Sequence, residues 1–99
     1  MAHTKTTFKT DQASRYLQQL CKHFGHKIPA EYGPTHGRIV FPFGTCELAA
    51  SEVGLTLHAS GAPRALEKLE RVLGNHLERF AFREAPALRW QRSPDPTNP

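Results

Sequence analysis

A thiol and two imidazoles lie within six residues of one another, at Cys21, His23 and His26. Thiolate sulfur and imidazole nitrogen are ligands of zinc, iron and haem, so this stretch could hold a metal. A helix turns by about 100° per residue, which sends the three side chains in different directions. Only His23 and His26, as an i, i+3 pair, could then share one ion, provided that the helix continues beyond Gly25. The pattern indicates a metal site without defining its ligands.

The same stretch has a second interpretation, as the basic end of a helix. Lys22, His23, His26 and Lys27 carry positive or titratable groups close to the predicted helix C-terminus. Positive charge interacts favourably with the helix dipole at that end. On this interpretation the histidines stabilise the helix and bind no ligand.

His76 is a separate candidate, in the middle of the apolar face of a second predicted helix. A buried neutral imidazole needs a hydrogen-bond partner, and a backbone carbonyl or the Tyr16 hydroxyl would provide one. Alternatively, His76 lines an internal pocket with Cys21 and His23 and binds a metal or haem. The metal candidates are therefore His23, His26 and His76, although the sequence requires no cofactor.

The sequence contains none of the common signatures of catalysis. It has no glycine-rich phosphate loop, no Gly-x-Ser-x-Gly motif and no pair of carboxylates near a predicted pocket. A dyad of Cys21 and His76 is sterically conceivable, but a thiol on a core-facing stripe is usually inert. We therefore predict that the protein is not an enzyme.

The composition is that of one modest domain. The chain has 99 residues, 38% hydrophobic and 22% charged, with a formal net charge of +4, and this length supports a single core. No apolar run approaches the roughly 20 residues that span a bilayer, and no secretory signal pattern is present. We predict no membrane association and a cytoplasmic location. Cys21 and Cys46 are expected to be reduced and buried, and the sequence leaves open whether they approach each other.

The first half of the chain reads as a strand, a helix and a hinge. Residues 4–9 are rich in threonine and predict a strand. Asp11 is a suitable N-cap for a helix whose apolar stripe spans residues 13–24. Gly25 suits a left-handed helix cap. The polar residues 31–37 predict a hinge.

The second half reads as a meander, a helix and a closing strand. Apolar alternation predicts three strands, at residues 38–43, 46–50 and 55–59. Gly44-Thr45 is expected to form the first turn between them. A second amphipathic helix begins at Pro63, and residues 88–91 predict a closing strand.

Two amphipathic helices and a sheet with one apolar face predict a two-layer α+β sandwich. We expect a mainly antiparallel sheet with both helices on one face, in the order β-α-β-β-β-α-β. Residues 1–92 would form the domain, and the proline-rich residues 93–99 a disordered tail.

The opposite face of the predicted sheet is polar. It carries Arg38, Glu47, His58 and Arg89, but no aromatic residue on which a base could stack. Nucleic acid is therefore not a predicted partner. Val40 on the same face favours docking of a protein, and the pattern is compatible with a homodimer.

Two stretches resemble a small bacterial family known as domain of unknown function 2218. They are residues 16–27 (YLQQLCKHFGHK) and residues 75–84 (NHLERFAFRE), the latter followed by the LRWQ of residues 88–91. The resemblance covers nearly the whole chain apart from the tail. Members of that family stand alone at about this length or are joined to siderophore-interacting flavoproteins that reduce ferric siderophores. The family has no established activity, so the resemblance implies an accessory or binding role in bacterial iron acquisition.

The resemblance also implies a set of site residues. Lys22, Lys27 and Arg79 could attract an anionic ferric siderophore, and any electrons would come from a partner such as a siderophore-interacting reductase. Two other classes of function stay open: a metal- or haem-binding protein, and a structural protein-interaction module. The positions that match the family are Cys21, Lys22, His23, His26, Lys27, His76, Glu78 and Arg79.

Overall fold

The computed structural model describes residues 1–93, which form a six-stranded antiparallel sheet with two α-helices. This confirms the predicted α+β architecture. The strands are β1 (Ala2–Lys9), β2 (Ala30–Tyr32), β3 (His36–Phe41), β4 (Gly44–Ala50), β5 (Gly54–Gly61) and β6 (Gln91–Ser93). The α-helices are α1 (Ala13–Phe24) and α2 (Leu66–Phe80), with short 3-10 turns at Pro63–Ala65 and Phe82–Glu84.

The sheet has the strand order β2-β3-β4-β5-β1-β6. Strands β2 to β5 follow one another as a meander, and β1 adds to the free edge of β5. The β1–β5 pairing is long, since it extends from Ala2 opposite Gly61 to Lys9 opposite Gly54. The short β6 then pairs with β1.

The core lies between one face of the sheet and the two helices. The alternation that predicted β3, β4 and β5 is confirmed, because every second side chain there faces inward. Leucines from both helices fill the space above these strands. The fully buried side chains include Leu17, Leu20, Ile39, Cys46, Leu48, Leu55, Leu57, Leu69, Leu73 and Leu77.

The predicted hinge at residues 31–37 is wrong, because part of it forms the edge strand β2. Ala30, Glu31 and Tyr32 pair with β3 in antiparallel register. Two of these three side chains are exposed, so the strand is held by backbone hydrogen bonds and shows no apolar alternation. A three-residue strand of this kind leaves no periodic pattern in the sequence.

The ends of α1 also differ from the prediction. Gln12 occupies the N-cap position and makes no side-chain cap bond, while its N–H donates to Thr10 Oγ1 at 3.0 Å. Asp11 therefore does not cap the helix. Gly25 has φ −62° and is not left-handed, because the chain continues in right-handed turns in which Lys27 and Ile28 both donate to the Phe24 carbonyl.

The β3–β4 turn and the closing strand lie a few residues from their predicted positions. The turn consists of Pro42 and Phe43, because Gly44 is already the first residue of β4 and pairs with Phe41, the last residue of β3. The closing strand is Gln91–Ser93, and the preceding Leu88 and Trp90 pack against the core instead. Ser93 therefore belongs to the sheet, whereas the rest of the predicted tail, residues 94–99, lies outside the described residues. No helix within residues 1–93 is long and apolar enough to span a membrane.

Candidate functional site

A cavity of about 570 Å³ lies between the end of α1, the β3–β4 turn and the first half of α2. Its volume falls in the range of roughly 300–1,000 Å³ that is usual for small-molecule sites. We call it the aromatic pocket. It is lined by His23, Phe24, His26, Lys27, Ile28, Phe41, Pro42, Phe43, Lys68 and Val72.

Three phenylalanines form one wall of the aromatic pocket. Phe24 is the last residue of α1, and its ring meets Phe41 edge-on with 5.1 Å between centroids. Phe41 ends β3, and its ring stacks on that of Phe43 at 5.2 Å. Because Pro42 and Phe43 form the turn, Phe43 remains half-buried at the end of the sheet. The wall offers flat apolar surfaces on which a planar ligand could stack.

Basic side chains surround this wall. Lys68 Nζ lies 4.4 Å from the centroid of the Phe43 ring, within cation–π distance. Lys27 and His26, from the chain that follows α1, are exposed at the same opening. We call Lys27, Lys68 and His26 the basic rim. No acidic side chain lines the pocket among residues 1–93, so the local potential favours an anionic ligand.

His23 and His76 lie side by side next to the pocket. Their ring centroids are 4.7 Å apart, and the Phe24 ring lies 4.8 Å from that of His76. His76 Nδ1 lies 2.7 Å from the carbonyl oxygen of Val72. Since a carbonyl only accepts, Nδ1–H is the donor, and the neutral His76 ring keeps its lone pair on Nε2.

The predicted place of His76 is wrong in one respect. The residue is half-buried at the border of α2, and the middle of the apolar face belongs to Leu69, Leu73 and Leu77. Its partner is the backbone carbonyl, which was one of the two predicted acceptors. The other, the Tyr16 hydroxyl, donates to Glu84 instead.

The surroundings of His23 favour its neutral form. Partial burial lowers its pKa, and the nearby basic side chains of His76, His26, Arg79 and Lys27 lower it further. Its ring packs edge-on against Phe24 at 5.1 Å and Phe80 at 5.7 Å. An uncharged imidazole on the pocket wall can donate or accept a hydrogen bond from a ligand.

Cys21 does not reach the histidines. It is fully buried and faces β3, where a Cβ atom on Gly37 would stand 2.7 Å from its Sγ. Burial raises the pKa of the Cys21 thiol to about 11 and raises that of the Cys46 thiol as well. Both thiols are free. Thiols of this kind are poor nucleophiles and poor metal ligands.

The remaining predicted site residues divide between the pocket and the surface around it. His23, His26 and Lys27 line the aromatic pocket, whereas Lys22 and Arg79 are exposed and do not line it. Glu78 is also exposed. Within residues 1–93 no group of three or more His, Cys, Asp or Glu side chains is arranged to hold a metal ion.

The sequence predicted only three of the ten residues that line the pocket as site residues: His23, His26 and Lys27. Lys68 reads as one charge among many on the polar face of α2, and Val72 as a core residue. The apolar alternation places Phe41 and Phe43 in one strand, which hides that Phe43 lies in a turn. The Pro42 between them and the Gly44 after them were the available signal, since both residues favour turns.

The comparisons with known proteins agree with this fold. The profile of a family described as "Uncharacterized protein conserved in bacteria (DUF2218)" matches residues 5–91. No curated protein matches the chain. A solved NMR structure, that of PA4090 from Pseudomonas aeruginosa, superposes with a TM-score of 0.78 at 33% sequence identity. The match covers 92% of this chain and 96% of that one.

The fold and these matches define a class of small bacterial α+β proteins. The chain belongs to the DUF2218 family of uncharacterised bacterial proteins.

Proposed function

We propose that this protein binds a small anionic aromatic ligand in the aromatic pocket and does not catalyse a reaction on it. The observation that carries this proposal is the pairing of a three-phenylalanine wall with a basic rim around one cavity of about 570 Å³. A planar ring would stack on the wall, and its negative charge would face Lys27 and Lys68.

The ligand class that suits this pocket is a catecholate or aryl carboxylate, as carried by ferric siderophores. Such complexes are often anionic, and their aromatic arms are flat. The resemblance of the chain to domains that are joined to siderophore-interacting flavoproteins supports the same choice. On this proposal the protein holds the siderophore in the bacterial cytoplasm and a partner flavoprotein reduces the iron.

The absence of catalysis in this proposal rests on the thiol and the histidines. The Cys21 thiol, with its pKa raised to about 11, is buried away from the pocket. His23 and His76 both pack against the Phe24 ring. Their arrangement suits hydrogen bonding to a ligand more than proton transfer.

The proposal is tested by titrating the protein with gallium(III) tris-2,3-dihydroxybenzoate and with free 2,3-dihydroxybenzoate in a calorimeter. We expect saturable binding that weakens as salt is added, because the basic rim contributes charge. Lys68→Glu should weaken binding roughly tenfold or more, since it reverses a charge at the rim.

Lys22→Glu is the matched control, because it makes the same charge change on an exposed lysine outside the pocket. It should change the affinity about twofold or less through long-range charge alone. Equal losses from Lys22→Glu and Lys68→Glu, or no binding of either compound, would overturn the proposal.

Metal or haem binding through His23, His26 or His76 is a second candidate function. The close approach of the His23 and His76 rings and the Nδ1 bond of His76 favour it, because metal-bound histidines usually donate their other nitrogen to such a carbonyl. Native mass spectrometry of the untagged protein from its host distinguishes the two. A mass that exceeds the bare chain by that of a metal ion or haem would support this second function if His76→Leu removes the excess. A protein that retains only an aromatic anion would support the first.

A further inference from the structure

A second histidine pair lies on the exposed face of the sheet, away from the helices. His3 is on β1 and His58 is on the adjacent β5. In the register of these strands, His3 is opposite Ser60 and His58 is opposite Lys5, so the two histidines are diagonal neighbours. His58 Nε2 lies 3.2 Å from His3 Nδ1, and the ring centroids are 5.2 Å apart.

The two nitrogens lie within hydrogen-bond range of each other, and their distance is also compatible with two ligands on one metal ion. Zinc–imidazole bonds of about 2.0–2.1 Å at a tetrahedral angle place the ligand nitrogens about 3.4 Å apart. A square-planar site with bonds of similar length places them about 2.9 Å apart. The observed 3.2 Å lies between the two values.

We propose that His3 and His58 form a surface site for one divalent transition-metal ion that prefers imidazole ligands, such as Zn²⁺ or Cu²⁺. The two nitrogens supply two coordination positions, and water supplies the others. The site is independent of the aromatic pocket, since it lies on the opposite face of the sheet.

The scaffold holds both ligands in place before an ion arrives. Strands β1 and β5 pair over eight residues on each side, and β1 is covered at its other edge by β6. An ion would therefore order two side chains and no loop. Ligands on paired strands keep their spacing better than ligands on loops.

Charged side chains of both signs lie next to the pair. His58 lies between Lys5 of β1 on one side and Glu47 of β4 on the other. The carboxylate of Glu47 also forms an exposed ion pair with Arg38 at 3.6 Å. This one carboxylate is set against two cationic side chains, Lys5 and Arg38, so the surroundings of the pair are slightly positive and the two imidazoles would supply the binding.

The test is calorimetric titration of the untagged full chain with Zn²⁺, and with Cu²⁺ followed by electron paramagnetic resonance. We expect one ion per chain and nitrogen hyperfine structure from imidazole. His3→Gln and His58→Gln should each weaken binding of the ion roughly tenfold or more. The double variant should have the same affinity as either single variant, because one remaining histidine cannot chelate the ion alone. Both side chains project from the outer face of the sheet, so the fold should tolerate the changes.

One further variant gives the proposal its control. His36→Gln removes an exposed histidine from the same face of the sheet, on β3, and should leave binding unchanged. Loss of the ion in His36→Gln, or wild-type affinity in His3→Gln and His58→Gln, would overturn the proposal.

Discussion

Glu70 on α2 joins three elements through one carboxylate. Thr4 of β1, which is fully buried, donates from Oγ1 to Glu70 Oε2 at 2.7 Å. Arg92 of β6 donates to both carboxylate oxygens, each at 2.8 Å. The hydrogen bond from Arg92, together with that from Thr4, lowers the pKa of Glu70 although partial burial opposes this.

The lowered pKa of Glu70 predicts how stability changes with pH. In the unfolded chain Glu70 takes up a proton near its ordinary pKa of 4.5, whereas the folded protein resists protonation to lower pH. Above about pH 4.5, Glu70 therefore makes its full contribution to the free energy of unfolding. This contribution is lost as the pH falls through the lower pKa that Glu70 has in the folded protein. Glu70→Gln should reduce the free energy of unfolding by about 1–2 kcal/mol at pH 7, because Thr4 loses a charged acceptor.

Denaturant unfolding of Glu70→Gln between pH 3 and pH 7 measures this effect. The difference between wild type and variant should shrink as the pH falls below 4.5. Glu78→Gln, an exposed change on the same helix, should show no such trend. A difference that stayed constant down to pH 3 would contradict the assigned role of Glu70.

The role of Glu70 could not be predicted from the sequence. It lies within the charged run of α2 and reads as one of several solvent-facing residues on that helix. Its buried partner comes from the threonine-rich first strand, 66 residues away in the chain. No local periodicity reports a contact over that distance.

At the scale of elements, α1 packs very closely on β3. Gly37 is buried in β3, and a Cβ atom there would stand 2.7 Å from Cys21 Sγ and 3.2 Å from Leu17 Cδ2. Both side chains belong to the buried face of α1. The helix can lie this close to the sheet because residue 37 has no side chain.

Gly37→Ala should therefore destabilise the protein by about 1–3 kcal/mol, as overpacking does in other cores. Without this contact the change would be expected to stabilise a strand, since alanine loses less backbone entropy than glycine on folding. Chemical denaturation gives the sign directly.

Two comparisons make this measurement specific to the contact. Gly33→Ala, at a position with no atom within 4 Å of the added Cβ, should be nearly neutral. In a Cys21→Ala background, Gly37→Ala should be less destabilising because the sulfur has gone. The same loss in both backgrounds would show that Cys21 is not what limits the approach.

The sequence predicts the elements in which apolar side chains recur at a regular spacing along the chain. Both α-helices and the β3–β5 meander have a regular apolar period, and each was located to within a few residues. β2 and β6 have three residues each and mostly exposed side chains, so backbone pairing alone defines them. The turn at Pro42-Phe43 was misplaced because Phe43 continues the apolar alternation of β3 beyond its last paired residue.

At the scale of the whole molecule, the sequence located only one side of the aromatic pocket. His23, His26 and Lys27 lie within five residues of one another and therefore form a recognisable cluster in the sequence. Phe43 and Lys68 come from a turn and a second helix, and they meet this cluster only because both helices cover the same face of the sheet. Composition and spacing carry no information on which polar residue of α2 faces the end of α1.

The measurement that tests the central claim most directly is a nitrogen-15 NMR titration with gallium(III) tris-2,3-dihydroxybenzoate. Binding in the aromatic pocket predicts saturable shifts concentrated in residues 23–28, 41–44 and 68–72. Phe43→Ala should reduce the affinity, because it removes one ring of the wall. Shifts confined to the opposite face of the sheet, or no shifts at saturating ligand, would contradict the claim that this pocket is the functional site.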